Sequence, residues 1–315
     1  MKLAKYERDG MAVTALGRTR DGELRLVDLE LALQGAGVTA AEFRPDMSVS
    51  ALLANWTVFS RLLEAVDLET LPDVAASEVK LLPPVGPGQL IVCCGFNYAD
   101  HEAEVSGSSV GATWFIKNAN SVIGHGESIL VPSDNGETVD YEGEIAVVFG
   151  RDCHMASVED ALDYVGGYTL LNDVSARPPR ISAEGAPDDI RRGVIESFFG
   201  KQYPTFCPIG PMVLTADEVP DPGELTFNTL VNGTVKQRAR LADMRLGVAE
   251  LIAWLSTVFQ FRAGDLISTG SPSGTGVSQR PPRFLGAGDV VTVSCPAIGE
   301  LTSRVAVPAL VPAGA

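Results

Sequence analysis

Basic side chains are scarce in this chain: 24 Lys and Arg stand against 40 Asp and Glu, a formal net charge of −16 over 315 residues. A phosphate backbone is held by clustered Lys and Arg, so an exposed nucleic-acid surface is not expected. Long apolar runs are missing as well. No stretch approaches the ~20 apolar residues of a membrane-spanning helix, and the first ten residues, MKLAKYERDG, lack the apolar core of a signal peptide. Cysteine is limited to five positions (93, 94, 153, 207 and 295) without CxxC spacing, which reads as reduced, mostly buried thiols. A cytoplasmic protein with no membrane and no nucleic-acid partner is the expectation. If such an acidic protein acts on an anionic substrate, its site must be made locally positive by a metal ion or a few focused cations.

What is present suffices for a sizeable core, at 45% hydrophobic and 20% charged residues. Thirty-two Gly and 20 Pro point to many short elements joined by tight turns rather than to a helix bundle. Residues 1–82 read as a small N-terminal α/β domain. Strands are expected at 11–16 and 24–29, separated by a turn at Asp21-Gly22. From Val49 to Val66 the apolar residues Leu52, Leu53, Trp56, Phe59, Leu62, Leu63 and Val66 recur at three- and four-residue steps, the spacing of one buried helix face. The segment LPPVGPG (82–88) cannot sustain a helix or a central strand. A boundary there leaves residues 83–315 as a second, larger domain. In it, strand-like segments recur from Gln89 to Ser294, with a hairpin tip at Val231-Asn-Gly-Thr. Helices are expected over 157–165, capped by Ser157 with Asp160, and over 246–259. The fold class is therefore α+β and dominated by strands, with no internal repeat.

The stretch VDYEGEIAVV (139–148) carries the most chemistry. In a strand, Glu142 and Glu144 share a face, and the apolar residues after them lead into the core. Two carboxylates side by side near a core repel each other and are costly to desolvate. A shared proton would relieve this, as would a divalent cation, for which hard oxygen ligands suit Mg²⁺ or Mn²⁺. A solvated strand face would show the same alternation. Asp173 ends the apolar run GGYTLLND, where it either reaches that pair or caps a turn. Glu142, Glu144 and Asp173 together would leave about half of an octahedral shell for water or substrate. His101 and Glu104, three apart, share one face of a short helix. Such a Glu raises the imidazole's basicity and fixes its tautomer, making a water-activating dyad; an exposed polar helix is the plainer reading. His125 and His154 read as turn and surface residues.

Asn97-Tyr98 with Asp100, His101 and Glu104, then Phe115-Ile-Lys117, Asp140-Tyr-Glu-Gly-Glu144, the run from Gly167 to Arg177, Gly200-Lys201, Pro208-Ile-Gly-Pro211 and the glycine loop Thr269 to Gly276 occur in that order. Together they resemble the fumarylacetoacetate hydrolase family, over about residues 90–306. The resemblance implies a mixed β-roll, a homodimer, and Mg²⁺ or Mn²⁺ held by Glu142, Glu144 and Asp173, as in the smaller, three-carboxylate members. It implies that His101 and Glu104 form a dyad on a segment that orders over substrate. It further implies that Lys201 lies in a stretch that contacts substrate oxygen, where a fixed cation stabilises an enolate or oxyanion. From the sequence itself, Lys117 ends an apolar strand and either points into the site as a substrate contact or snorkels to solvent, and Ser271 offers a substrate a hydroxyl in a glycine loop that either admits a ligand or simply needs positive φ. After Ser-Ala-Arg the family commonly has Asp and then Gln. Here Pro178-Pro179-Arg180 follows, so Arg180 would clamp a substrate carboxylate. Pro204 stands where an Asp is common, and Ser271 where Thr is common, which argues for an unusual substrate. The leading expectation is hydrolysis of a C–C bond in a small anionic 1,3-diketo acid of acylpyruvate or fumarylpyruvate type. An oxaloacetate-type decarboxylase or a 2-hydroxymuconate-type isomerase on the same site is the alternative, and a metal-dependent binding protein without turnover is a third reading.

Overall fold

The computed structural model describes residues 1–38, 47–85, 88–105, 111–133, 136–177 and 199–308. Strands Lys2–Arg8, Met11–Arg20 and Glu23–Asp28 form an antiparallel meander, whose second turn is the expected Asp21-Gly22. The first of these strands escapes a pattern search because its buried residues, Leu3, Ala4 and Tyr6, do not alternate. It is also the strand that joins the meander to the rest. Lys2, Leu3 and Ala4 pair with Leu214, Val213 and Met212, so hydrogen bonds of one sheet cross the expected boundary at residue 82.

That sheet runs, edge to edge, Val74–Ala75, Glu23–Asp28, Met11–Arg20, Lys2–Arg8, Cys207–Thr215, Val165–Asn172, Gly143–Phe149, Leu266–Ser268, Ile91–Gly95 and Thr113–Lys117. Its three central strands, 143–149, 165–172 and 207–215, are buried at every position, which is why they read as nearly unbroken apolar runs. One face, with Ile145, Val147 and Phe149, packs against the helix Val248–Leu255 and residues Phe227, Val293 and Leu301. The other, with Ala146 and Val148, packs against Leu3, Leu16 and the N-terminal helices. Phe227, Val293 and Leu301 belong to a second sheet, ordered Thr234–Arg240, Thr226–Val231, Val290–Cys295, Gly299–Ala306, Ile129–Leu130. Its first hairpin turns at Asn232-Gly233, as expected. The strand-dominated α+β class holds.

Two helical expectations change. The 49–66 face is divided between helices Val49–Ala54 and Trp56–Glu64, which meet at Asn55. Ser157 and Asp160 do exchange cap hydrogen bonds (3.0 and 3.2 Å), but only a 3₁₀ turn, Ala161–Tyr164, follows. The next strand begins at Val165, which leaves no room for an α-helix. All five cysteines are buried and unpaired. Among the described residues, no helix is long and apolar enough to cross a membrane.

Candidate active site

Strand register brings the acidic residues together. Gly143 pairs with Asn172, so Glu142, just before one strand, lies beside Asp173, just after the other. The Asp173 N–H donates to the Glu142 carbonyl at 2.8 Å, and Asn172 Oδ1 accepts the Glu142 N–H at 3.0 Å. Glu144 lies one strand repeat farther in, on the same face as Glu142. One carboxylate oxygen from each of Glu142, Glu144 and Asp173 lies within 4.8 Å of the others, and all three residues are buried. Gly143 between the two glutamates is obligatory, because a Cβ there would fall 1.9 Å from Thr229 Oγ1 of the second sheet. Gln237 of that sheet accepts the Gly143 N–H (3.0 Å) and donates to Ser271 Oγ (2.7 Å) and the Pro272 carbonyl (2.8 Å).

Three cations face this trio unevenly. Lys201 Nζ donates to Glu142 Oε2 (2.6 Å) and Asp173 Oδ2 (2.5 Å). Lys117 Nζ donates to Asp173 Oδ1 (2.5 Å) and the Val174 carbonyl (3.1 Å). Arg177 donates to Glu142 through Nη2, and its Nε lies 3.0 Å from Asp140 Oδ2. Burial pushes the Glu142 carboxyl up, but Arg177, Lys201 and His101 outweigh it and hold that group well below the usual carboxylate range. Glu144 behaves oppositely. Burial and the nearby Asp173 push it up to about 8. Among the described residues no Lys or Arg pairs with it; it accepts instead from Ser268 Oγ and the Gly270 N–H. Three convergent hard oxygens, one of them with no Lys or Arg paired to it among the described residues, fit a divalent cation such as Mg²⁺ or Mn²⁺.

His101 and Glu104 lie on the seven-residue helix Ala99–Val105. His101 Nδ1 is 3.2 Å from Glu104 Oε1, and Nε2 is 3.7 Å from Glu142 Oε1. The helix thus aims the imidazole at the trio. Glu104 also accepts the Gly274 N–H (3.0 and 3.1 Å) and the Thr275 hydroxyl (3.2 Å). Burial pushes its carboxyl up, but hydrogen bonds from His101, Gly274 and Ser278 more than offset this and hold it below its ordinary value. On other sides of the helix, Glu102 is bound by Arg245 and Asp100 by Ser273 Oγ at 2.5 Å.

The family model of the fumarylacetoacetate (FAA) hydrolase C-terminal domain matches residues 90–306. This chain belongs to the fumarylacetoacetate hydrolase family. It is 36% identical over 233 residues to oxaloacetate tautomerase YisK of Bacillus subtilis, covering 73% of this chain and 74% of that protein. A fumarylacetoacetate hydrolase structure from Exiguobacterium antarcticum superposes with a TM-score of 0.77 at 30% identity, covering 98% of this chain and all of the other. Maleylpyruvate hydrolase from Sphingobium sp. SYK-6, solved with manganese(II) and pyruvate, gives 0.74 at 28% identity over the same shares.

Within this family fold, Lys117, Lys201 and His101 gather directly at the trio, and Glu104 reaches it through His101. Ser271 is buried beside it, and its hydroxyl is bound to Gln237 and to the Gly143 carbonyl (3.3 Å). Lys117 is buried and bonded to Asp173. Arg180 lies outside the described residues. His125 takes the Thr302 N–H (3.2 Å), away from the site, and His154 is exposed. Sequence reasoning passed over Arg177, Asp140, Ser268 and Gln237. Asp140 was within reach, since period-two alternation puts it on the face of Glu142. Nothing in the sequence pairs Gln237 with Gly143.

Proposed function

We propose that the chain generates and quenches the enolate of a small anionic 2-oxo acid, and that its reaction is hydrolysis of the C–C bond of a 1,3-diketo acid of acylpyruvate type. Glu142, Glu144 and Asp173 would hold Mg²⁺ or Mn²⁺. The observation that carries this reading is the aim of His101: its Nε2 faces the trio while its Nδ1 is bound to Glu104. A divalent ion bound there would supply Lewis acidity toward the carbonyl of a chelated 2-oxo acid. With Nδ1–H donated to Glu104, the free Nε2 is the base that takes a proton from water. The hydroxide adds to the acyl carbonyl carbon. Collapse of the adduct breaks the bond to the pyruvate half, whose electron pair leaves as an enolate beside the fixed positive charges of Lys201 and Arg177. His101 then returns its proton to that carbon, giving a carboxylic acid and pyruvate.

The maleylpyruvate hydrolase similarity supports hydrolysis. The Bacillus relative favours a second reading, keto–enol conversion of oxaloacetate, in which His101 only shuttles a proton between carbon and oxygen. A panel of acylpyruvates, oxaloacetate and 2-hydroxymuconate, assayed with Mg²⁺ and with Mn²⁺, separates them. Pyruvate release from an acylpyruvate is expected. Loss of enol absorbance from oxaloacetate without cleavage of any acylpyruvate would replace hydrolysis by tautomerisation, and CO₂ release from oxaloacetate would replace it by decarboxylation.

A further inference from the structure

Asp140 stands outside the trio, is wholly buried, and has both oxygens engaged. Oδ1 accepts the Gly276 N–H (2.7 Å) and the Tyr141 N–H (2.9 Å). Oδ2 accepts the Val277 N–H (3.0 Å) and faces Arg177 Nε at 3.0 Å. Its partners lead to both halves of the site. Gly276 and Val277 continue directly from Gly274 and Thr275, which seat Glu104. Arg177 reaches on to Glu142. Apart from the short turn Gly276–Ser278, the loop has no regular structure, so its position is set by such bonds. The fit around them is tight: a Cβ on Gly276 would lie 2.2 Å from the Arg283 carbonyl and 2.6 Å from Asp140 Oδ1. The strand Val139–Asp140 pairs with Ser175–Ala176, which puts Asp140 next to the backbone that carries Arg177.

We propose that Asp140 is a positioning residue that fixes the His101–Glu104 dyad relative to the Glu142 side of the carboxylate trio. Through the loop it sets the donors under Glu104, and through Arg177 it sets the Glu142 carboxylate. The inference rests on reading His101 and Glu104 as the acid–base pair.

Asp140→Asn is isosteric but presents an NH₂ where one acceptor oxygen stood. In the Mn²⁺-loaded enzyme, kcat on the best substrate of the panel is expected to fall about 10- to 100-fold. The Mn²⁺ dissociation constant from calorimetry should move by less than about threefold. A positioning role through Glu104 also requires non-additivity: on a Glu104→Gln background the same change should cost no more than about threefold. A readout without substrate comes from imidazole ¹⁵N spectra, simple here because the chain has three His. The His101 signals should move toward those of Glu104→Gln while His125 and His154 stay put. Unmoved His101 signals, a kcat within about twofold of the parent, or losses that multiply across the double variant would overturn the proposal. If Asp140→Asn does not fold, Gly276→Ala disturbs the same seat from the loop side and is judged by the same readouts. A fully active Glu104→Gln would remove the acid–base reading and this inference with it. An inactive Glu104→Gln beside an unaffected Asp140→Asn would remove this inference alone.

Discussion

The carboxylate trio and the His101–Glu104 dyad face each other but are built by different means. Glu142, Glu144 and Asp173 are placed by the backbone register of two fully buried central strands. Moving any of them means breaking a sheet. The dyad rides on one seven-residue helix, too short to be stable alone, and is placed by polar contacts: Glu104 to Gly274 and Thr275, Glu102 to Arg245, Asp100 to Ser273. Charge balance is the vulnerable property of the first region, and docking is that of the second. Substitutions should therefore separate metal binding from turnover.

The largest effect is expected at Glu144. Glu144→Gln removes a ligand charge without orphaning a cation, since no Lys or Arg among the described residues pairs with Glu144. The fold should persist while Mn²⁺ affinity drops more than ~100-fold, because ligand loss exceeds the ~10- to 100-fold cost of losing a ligand's supporting partner. Activity should drop with it. Asp173→Asn takes from the buried Lys117 ammonium its charged partner among the described residues, and from Lys201 one of two, Glu142 being the other. It should lose about 3–5 kcal/mol of stability as well, read by urea unfolding. Unchanged Mn²⁺ affinity in Glu144→Gln would erase the contrast between the two regions.

Glu104→Gln comes next. Loss of the partner that orients His101 should lower kcat by ~10²- to 10⁴-fold, with the Mn²⁺ dissociation constant held within about threefold. A parallel fall in metal affinity would mean that the dyad is part of the cage.

Proton competition should be the third effect in size. Without a bound cation the Glu144 carboxyl titrates at about 8 against an ordinary 4.5. Between those values the fold binds a proton that the unfolded chain does not, so the ion-free protein loses stability as pH rises through this window. Metal binding must expel that proton, so apparent Mn²⁺ affinity should rise by up to ~tenfold per pH unit below 8 and flatten above it. Calorimetry at pH 6.5 in two buffers of different ionisation enthalpy should count close to one proton released. In Glu144→Gln the count should fall toward zero.

The same division decides what could be read from sequence. Glu142 and Glu144 were legible because period-two spacing ahead of an apolar run places them on one face, and Asp173 because it ends such a run. Sheet register then did the rest. His101 and Glu104 were legible as a pair by helical spacing, but their seat was not. The Gly274 N–H is 170 residues from Glu104, and backbone donors leave no mark in a sequence. The strand Lys2–Arg8 was missed because its burial does not alternate, and the 157–165 helix was overcalled because a true cap preceded a segment too short for α-helix. The apolar run before Lys117 marks it as facing inward, but its bond to Asp173 joins residues 56 apart and leaves no trace in the sequence.

The smallest effect tests the docking side alone. Arg245 binds Glu102, whose side chain is 3% exposed against 31% for the arginine. Asn97 fastens the same stretch by accepting the Leu246 N–H (3.0 Å) and donating to the Thr269 carbonyl (2.9 Å). Arg245→Met keeps the apolar stem and removes the charge. Glu102 keeps the Gly111 N–H at 2.7 Å, so the helix should loosen without being released. A hydrogen bond to a charged group is worth about 1.5–3 kcal/mol, and the partial exposure of Arg245 puts the expected loss near the bottom of that range. Because looser docking lowers the fraction of molecules with His101 aimed at the trio, kcat/KM should fall by about tenfold, the equivalent of ~1.4 kcal/mol, while Mn²⁺ affinity stays at the parent value. A variant that instead weakened Mn²⁺ binding and spared kcat/KM would show that the helix supports the cage, and the two regions would then have to be treated as one.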